Sequence, residues 1–229
     1  MGRKIKIAIV SGKGGVGKSM VASSLSILFS KKFKTISLDC DVDAPNLAIW
    51  LNEDKNWRKK IPISTSQKPV IKRKKCKDCK RCEEVCPFGA LRFEKGTLKF
   101  NPFLCEGCGL CEKLCPKGLI KMKPVFNGEI MEKKTKYGFK LISGKLFPGE
   151  SGSGKIIDEI KKYAEKFPYD LMIIDSPPGT GCPVTASLRG ANLAIVVLEP
   201  TLSGIRDAER TLKIISHFEI PWFLIINKW

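Results

Sequence analysis

The stretch 11-SGKGGVGKSM-20 decides how the rest of the chain is read. From Gly12 to Ser19 it has the G-x-x-x-x-G-K-S spacing of a phosphate-binding loop. Gly12, Gly14, Gly15 and Gly17 let the backbone bend so that several N–H groups, that of Val16 among them, can cradle phosphate oxygens. A helix opening on the loop adds its positive end. Lys18 is expected to reach the β and γ phosphates of ATP, and Ser19 to hold Mg²⁺ through its hydroxyl. The surroundings agree. Residues 5-IKIAIV-10 read as a strand, 18-KSMVASSLSILFS-30 as a helix, and 35-TISLD-39 as a second strand ending on a carboxylate. Strand, loop, helix, strand is the start of a parallel α/β sheet. Lys13, a second lysine inside the loop, is surplus to this chemistry.

The pattern then stops. From about residue 52 to 74 the chain is lysine-rich and carries Pro62 and Pro69, which suits a linker. Residues 76-CKDCKRCEEVCP-87 and 105-CEGCGLCEKLCP-116 repeat one spacing, C-x2-C-x2-C-x3-C-P. Between them, 91-LRFEKGTLKFNP-102 reads as a hairpin turning at Gly96. The α/β signal returns near residue 138. The segment 137-YGFKLIS-143 reads as a strand, and 154-GKIIDEIKKYAEKF-167 as an amphipathic helix with Ile156, Ile157, Ile160 and Tyr163 on one side. Residues 171–175, 193–198 and 222–227 are short buried-type strands, with a helix between the last two. The expected architecture is an α/β parallel-sheet P-loop NTPase, Rossmann-like, built from residues 1–60 and 126–229. Residues 61–125 are inserted into it.

Cysteine thiolates at this spacing form the bacterial ferredoxin signature, in which the fourth cysteine of each run ligates the other cluster. One [4Fe-4S] cluster is therefore assigned to Cys76, Cys79, Cys82 and Cys115. The second is assigned to Cys105, Cys108, Cys111 and Cys86. The insertion is expected to be an α+β bacterial-type ferredoxin domain. Zinc ribbons use two C-x2-C pairs and four ligands in total, which two complete four-cysteine runs exceed. Cys40 and Cys182 read as small buried or loop residues. His217 reads as an ordinary helix residue, and 151-SGSGK-155 as Gly/Ser capping before a helix.

Composition narrows the class. Hydrophobic residues are 43% and charged residues 28% of 229, a globular balance. No apolar run reaches the ~18 residues of a membrane span. The N-terminal apolar run leads straight into the loop, so it reads as a strand and not as a secretory signal, and a cytoplasmic location is expected. Ten cysteines, eight of them in two runs of regular C-x-x-C spacing, then favour metal or redox chemistry over disulfides. The net charge is +18, and residues 55–129 hold 19 Lys and Arg against 7 Asp and Glu. Two oxidised clusters at about −2 each would offset part of this excess. The rest is solvated lysine, or a surface for an acidic partner or nucleic acid.

With Lys13, the loop KGGVGKS resembles the deviant phosphate loop of the MinD, ParA and nitrogenase-iron-protein group of ATPases. The resemblance implies that Lys13 reaches across an ATP-bound homodimer to the partner's nucleotide, as an arginine finger does. The segment 39-DCDVDAPNLAIWL-51 resembles the first switch of that group, and Asp41 falls where its members orient the attacking water. Asp39 and Asp43 suit a helix cap or a Mg²⁺ contact through water. The segment 173-IIDSPPGTG-181 resembles the Walker-B-like second switch, placing Asp175 near Mg²⁺. Asn227 resembles the start of an adenine-binding segment, where an amide can donate to and accept from a base edge. Two departures stand out. The C-terminal C-x-x-C of the cluster-carrier branch is absent, and Trp229 follows directly on a strand where related ATPases continue. Nucleotide binding is thus implied more directly than full hydrolysis.

Three functions fit this reading. The first is a Mg-dependent ATPase, with Lys13, Lys18 and Asp41 catalytic, that couples dimerisation to electron delivery to an acceptor protein. The second is a redox-sensing positioning or partitioning switch. The third is an iron–sulfur cluster carrier.

Overall fold

The computed structural model describes residues 4–72, 81–94 and 96–229. Cys76, Cys79 and Lys95 lie outside the described residues. The chain separates into two units. One comprises the residues up to Ile61, Glu129–Lys145 and Ser153–Trp229, and the other Pro62–Gly128 with Leu146–Gly152.

The first unit is built on a sheet. Its strands in chain order are β1 (Ile5–Val10), β2 (Thr35–Asp39), β3 (Lys59–Ile63), then, after β4 to β7 of the second unit, β8 (Gly128–Lys134), β9 (Lys140–Leu146), β10 (Leu171–Asp175), β11 (Leu193–Leu198) and β12 (Trp222–Ile226). The spatial order is β12-β11-β1-β10-β2-β9-β8-β3. From β12 to β9 every neighbouring pair is parallel, with Ile7 opposite both Ile173 and Leu193. The helices are α1 (Lys18–Ser30), α2 (Leu47–Trp50), α5 (Ser153–Ala164), α6 (Cys182–Leu188) and α7 (Leu202–His217).

Parallel strands buried on both faces need apolar residues at successive positions, and residues 7–10 of β1, 171–174 of β10 and all of β11 supply them. Ile7, Ile9, Leu171, Ile173, Ile195 and Val197 form one core with Val21 and Ala22 of α1. Ala8, Val10, Met172, Ile174, Ala194 and Val196 are buried on the other face. There α5 packs on α6 and β2, and α6 on β1. The crossover from β1 through α1 to β2 runs to one side of β1, while β11 lies on the other. The carboxyl end of β1 is therefore a topological switch point, where ligands of open α/β sheets bind.

The reading of 52–74 as a linker is corrected. Residues Lys59–Ile63 are the edge strand of the large sheet, and β4 (Ser66–Ile71) pairs antiparallel with β7 (Ile120–Val125). Lysines and prolines look unstrandlike, yet a sheet edge accepts both, because its outer N–H groups need no partner.

In the second unit, β4 and β7 bring residue 66 opposite 125 and residue 71 opposite 120. The hairpin read at 91–102 is present as β5 (Leu91–Glu94) and β6 (Thr97–Phe100). Short helices α3 (Arg81–Glu84) and α4 (Leu110–Lys113) precede Cys86 and Cys115. The sequence repeat is also a structural one. Cys86 N–H bonds Glu83 O at 3.4 Å and Cys115 N–H bonds Glu112 O at 3.4 Å; Gly89 N–H bonds Cys86 O at 3.1 Å and Gly118 N–H bonds Cys115 O at 3.1 Å. Gly89 and Gly118 have φ of 62° and 57°, so each C-P-x-G turn needs its glycine.

Candidate functional site

The loop 11–17 leaves β1 at the switch point and runs into α1. Its conformation depends on missing side chains. Gly15 and Gly17 sit at φ of 79° and 102°. A Cβ on Gly12 would collide with the backbone of Asp207, and one on Gly17 with the Asn227 amide. The buried Ser11 hydroxyl donates to Lys13 O at 2.7 Å, and Gly179 N–H donates to Ser11 O at 3.0 Å. The loop is thus tied to the segment after β10. Lys18 is buried and Ser19 half-buried at the start of α1.

Three carboxylates converge on this end of the sheet. Asp175, at the end of β10, is fully buried, and neither of its oxygens has a hydrogen-bond partner. Burial pushes its carboxyl up to about 7, and the nearby Ser19 hydroxyl and Lys18 ammonium offset only part of that rise. Asp39, opposite Asp175 in the sheet register, is raised by burial and then by the charge of Asp175. Its two oxygens accept from Leu47 N–H at 3.0 Å and Asp41 N–H at 3.3 Å. Of the two roles read for Asp39, the helix cap is therefore the one its contacts match, at the start of α2. Asp41 is half-buried; burial raises its carboxyl and Lys18 pulls it back. Asp43 lies outside this group and accepts from Ser153 Oγ at 3.1 Å. Among the described residues, no three acidic, cysteine or histidine side chains are close enough to hold an ion by themselves. The donor set suits a hard divalent cation that keeps waters and takes its other ligands from phosphate.

Lys13 lies in its own chain's ion-pair cluster, 3.2 Å from Glu199, which also receives Lys228 at 2.6 Å. The two lysines hold the Glu199 carboxyl below its ordinary range. Glu199 follows β11, next to β1 in the sheet. Asn227 Nδ2 donates to Val16 O at 2.8 Å, so the amide braces the loop. Sequence reading missed Glu199 and Asp207. The available signal for Glu199 was a carboxylate directly after an apolar strand; Asp207, inside α7, offers no such signal.

A family model described as the CobQ/CobB/MinD/ParA nucleotide-binding domain matches residues 7–229. The chain belongs to the CobQ/CobB/MinD/ParA family. Two uncharacterized proteins of Methanocaldococcus jannaschii are 43% and 34% identical to it, covering all of this chain and 79% and 82% of theirs. An iron-sulfur cluster carrier protein of Pyrococcus horikoshii is 25% identical over 98% of this chain and 61% of its own length. Among solved structures, MinD of Pyrococcus horikoshii complexed with Mg-ADP superposes with a TM-score of 0.55 at 17% identity, covering 99% of this chain and 71% of that one. The Pyrococcus furiosus cell division ATPase MinD gives 0.56 at 16%, covering 100% and 73%. These likenesses establish a MinD-like fold. No helix among the described residues is long and apolar enough to cross a membrane.

This CobQ/CobB/MinD/ParA-family chain carries six of its eight described cysteines in the second unit. Cys86, Cys105, Cys108 and Cys111 line one cavity, with Pro69, Leu91, Phe100 and Met122 around them. Gly107 and Gly109, at φ of 68° and 77°, turn the loop between these cysteines. Gln67 of β4 donates to Gly107 O at 3.1 Å and holds the loop against the strand. Burial raises the Cys105 and Cys111 thiols, and the backbone N–H groups of Gly107 and Glu112 respectively offset part of this. Cys82 is buried in a cluster with Leu91, Leu98, Leu119 and Ile120, against which Cys86, Cys111 and Cys115 pack. Leu119 N–H points at Cys115 Sγ, 3.3 Å away. The four residues read as one ligand set are thus brought to one cavity. Cys82 and Cys115 of the other set share one apolar cluster, and Cys76 and Cys79 lie outside the described residues.

Cys40 is fully buried, and burial pushes its thiol up. Cys182 is exposed at the start of α6.

Proposed function

We propose that this protein is a Mg-dependent ATPase whose nucleotide-driven dimerisation controls electron transfer through two [4Fe-4S] clusters. For the nucleotide half, the carrying observation is Asp175: a buried carboxylate with both oxygens unpartnered, beside Ser19 and Lys18. Lys18 and the loop amides would bind the phosphates. Ser19 would take Mg²⁺ directly and Asp175 through water, which would return Asp175 to its ionised form. Asp41 would orient the attacking water, its raised proton affinity suiting a group that accepts a hydrogen bond from water. Lys13 would exchange Glu199 for the partner's phosphates on dimer closure.

For the cysteine half, the support is that Cys86 joins Cys105, Cys108 and Cys111 at one cavity although it comes from the other repeat. That interleaving is what a two-cluster ferredoxin pattern requires. These four would hold one cluster, and Cys76, Cys79, Cys82 and Cys115 the other. Bound clusters supply one-electron chemistry. The chain's own residues exclude water around them and aim amides at the sulfurs. The unidentified acceptor protein is the downstream partner.

The test is electron transfer from anaerobically purified, reduced protein to an acceptor, with and without ATP. A rate that rises with ATP is expected, and equal rates sink the coupling. Lys13→Ala separates the assembly step. It should keep ATP binding and lose hydrolysis and ATP-dependent dimerisation, measured by filter binding, phosphate release and light scattering.

The similarity to iron-sulfur cluster carrier proteins favours one second reading, that the clusters are cargo. It predicts that iron moves from this protein to an apo-recipient. Ligands shared between two repeats predict that the iron stays.

A further inference from the structure

At the opposite end of the sheet from the phosphate loop lies a groove of about 670 Å³. It is formed where the chain enters β2, β9 and β10, which run parallel, so it sits at their amino ends. Lys31, Lys32, Lys34, Arg58, Lys134 and Lys140 line it, with Asp170 as the only acid among the lining residues. The Asp170 carboxylate is already engaged by the backbone N–H of Lys34 at 2.9 Å. Lys140 is held by Glu132 at 2.7 Å and lies over the Phe167 ring, 4.0 Å from its centroid. Among the described residues, the other five cations have no carboxylate within 4.0 Å. Gathering five like charges around one concavity works against folding, so a surface of this kind is suited to an anionic occupant.

The geometry points to an acidic segment of a partner protein as that occupant. Four of the five unpaired cations are lysines, compact point charges that tolerate carboxylates at varied positions. Phosphate recognition favours the planar fork of arginine or a nest of backbone N–H groups. Among the described residues, no helix begins on this groove. Instead α1 ends there, with Ser30 and Lys31 among the lining residues, and so it offers carbonyls where a phosphate site needs N–H groups. The surface is concave, which fits a peptide chain better than the plane of a lipid bilayer. Phe33, Phe139 and Phe167 supply apolar floor and rim for side chains interspersed with the acids.

The experiment uses the full chain and a fluorescent peptide of alternating glutamate and leucine, followed by anisotropy. Binding that weakens as salt is raised is expected. The double reversal Lys31→Glu/Lys34→Glu should weaken it at least about tenfold. Reversing two exposed lysines elsewhere in the same unit, Lys155→Glu/Lys213→Glu, changes net charge equally and should leave binding intact. Retained ATP affinity shows that each variant is folded. Equal loss in both double variants overturns the proposal. So does tighter binding of tripolyphosphate, an oligo-dT strand or phosphatidylserine vesicles than of the acidic peptide.

Discussion

The two units place their chemistry differently with respect to their cores. In the nucleotide unit, Lys13, Lys18, Asp41 and Asp175 sit at the rim of a sheet whose interior is Ile, Leu, Val and Ala from several strands and α1. That core does not need the rim. In the cysteine unit, the core is Leu91, Leu98, Leu119 and Ile120 with Cys82, and three more cysteines pack against it. A unit of this size gains only a few kcal/mol from its core, so a staple would supply a large share of its stability. The lesson is that functional substitutions in the first unit should be tolerated or even stabilising, whereas those in the second should cost structure.

The largest test of that contrast is Cys111→Ser. On the two-cluster proposal it should remove one cluster, halving iron content, and raise the proteolytic susceptibility of residues 62–128, while nucleotide affinity stays unchanged. Intact protease resistance with half the iron would break the comparison. Next is Lys18→Ala, which should lower ATP affinity by on the order of 2–5 kcal/mol, read by calorimetry, with iron content unmoved.

Asp175→Asn follows, with the opposite sign on stability. Burial pushes the folded carboxyl up to about 7 from its ordinary 3.8, the value of the unfolded chain, so the folded state binds more protons between those values. Asp175 therefore subtracts stability progressively as pH rises from about 4 to 7, and fully above 7. In the metal-free protein the variant should gain roughly 1–4 kcal/mol at pH 8 and little at pH 4, measured by urea unfolding. Mg-dependent hydrolysis should be lost in the same variant. The smallest effect is expected for Asn227→Ala. Losing the 2.8 Å bond to Val16 O should cost about 1 kcal/mol and weaken ATP binding only slightly.

Much of this was legible in the sequence because the signals are local. The Gly12–Ser19 loop needs glycine where φ is positive and lysine where a phosphate would sit, and both requirements fall within eight positions. The C-P-x-G turns after Cys86 and Cys115 announce themselves in the same way. Features set by long-range register were not legible. Glu199 meets Lys13 only because β11 lies beside β1. The strand Lys59–Ile63 was hidden by its own edge position, where lysine and Pro62 carry little penalty. The attachment of 146–152 to the second unit depends on contacts that no periodicity records.

That last segment has a practical consequence for anyone moving parts between proteins. Glu150 reaches Lys68 at 2.7 Å, the Ser151 carbonyl accepts from Asn127 at 2.9 Å, and Gly149 packs against the Phe103 ring. The chain therefore passes between units four times, at 61/62, 128/129, 145/146 and 152/153. Cutting out 62–128 as a cassette would leave 146–152 without its partners, and transplanting 62–128 alone would leave Lys68 and Asn127 without theirs. A working graft has to carry both pieces and be spliced at all four junctions.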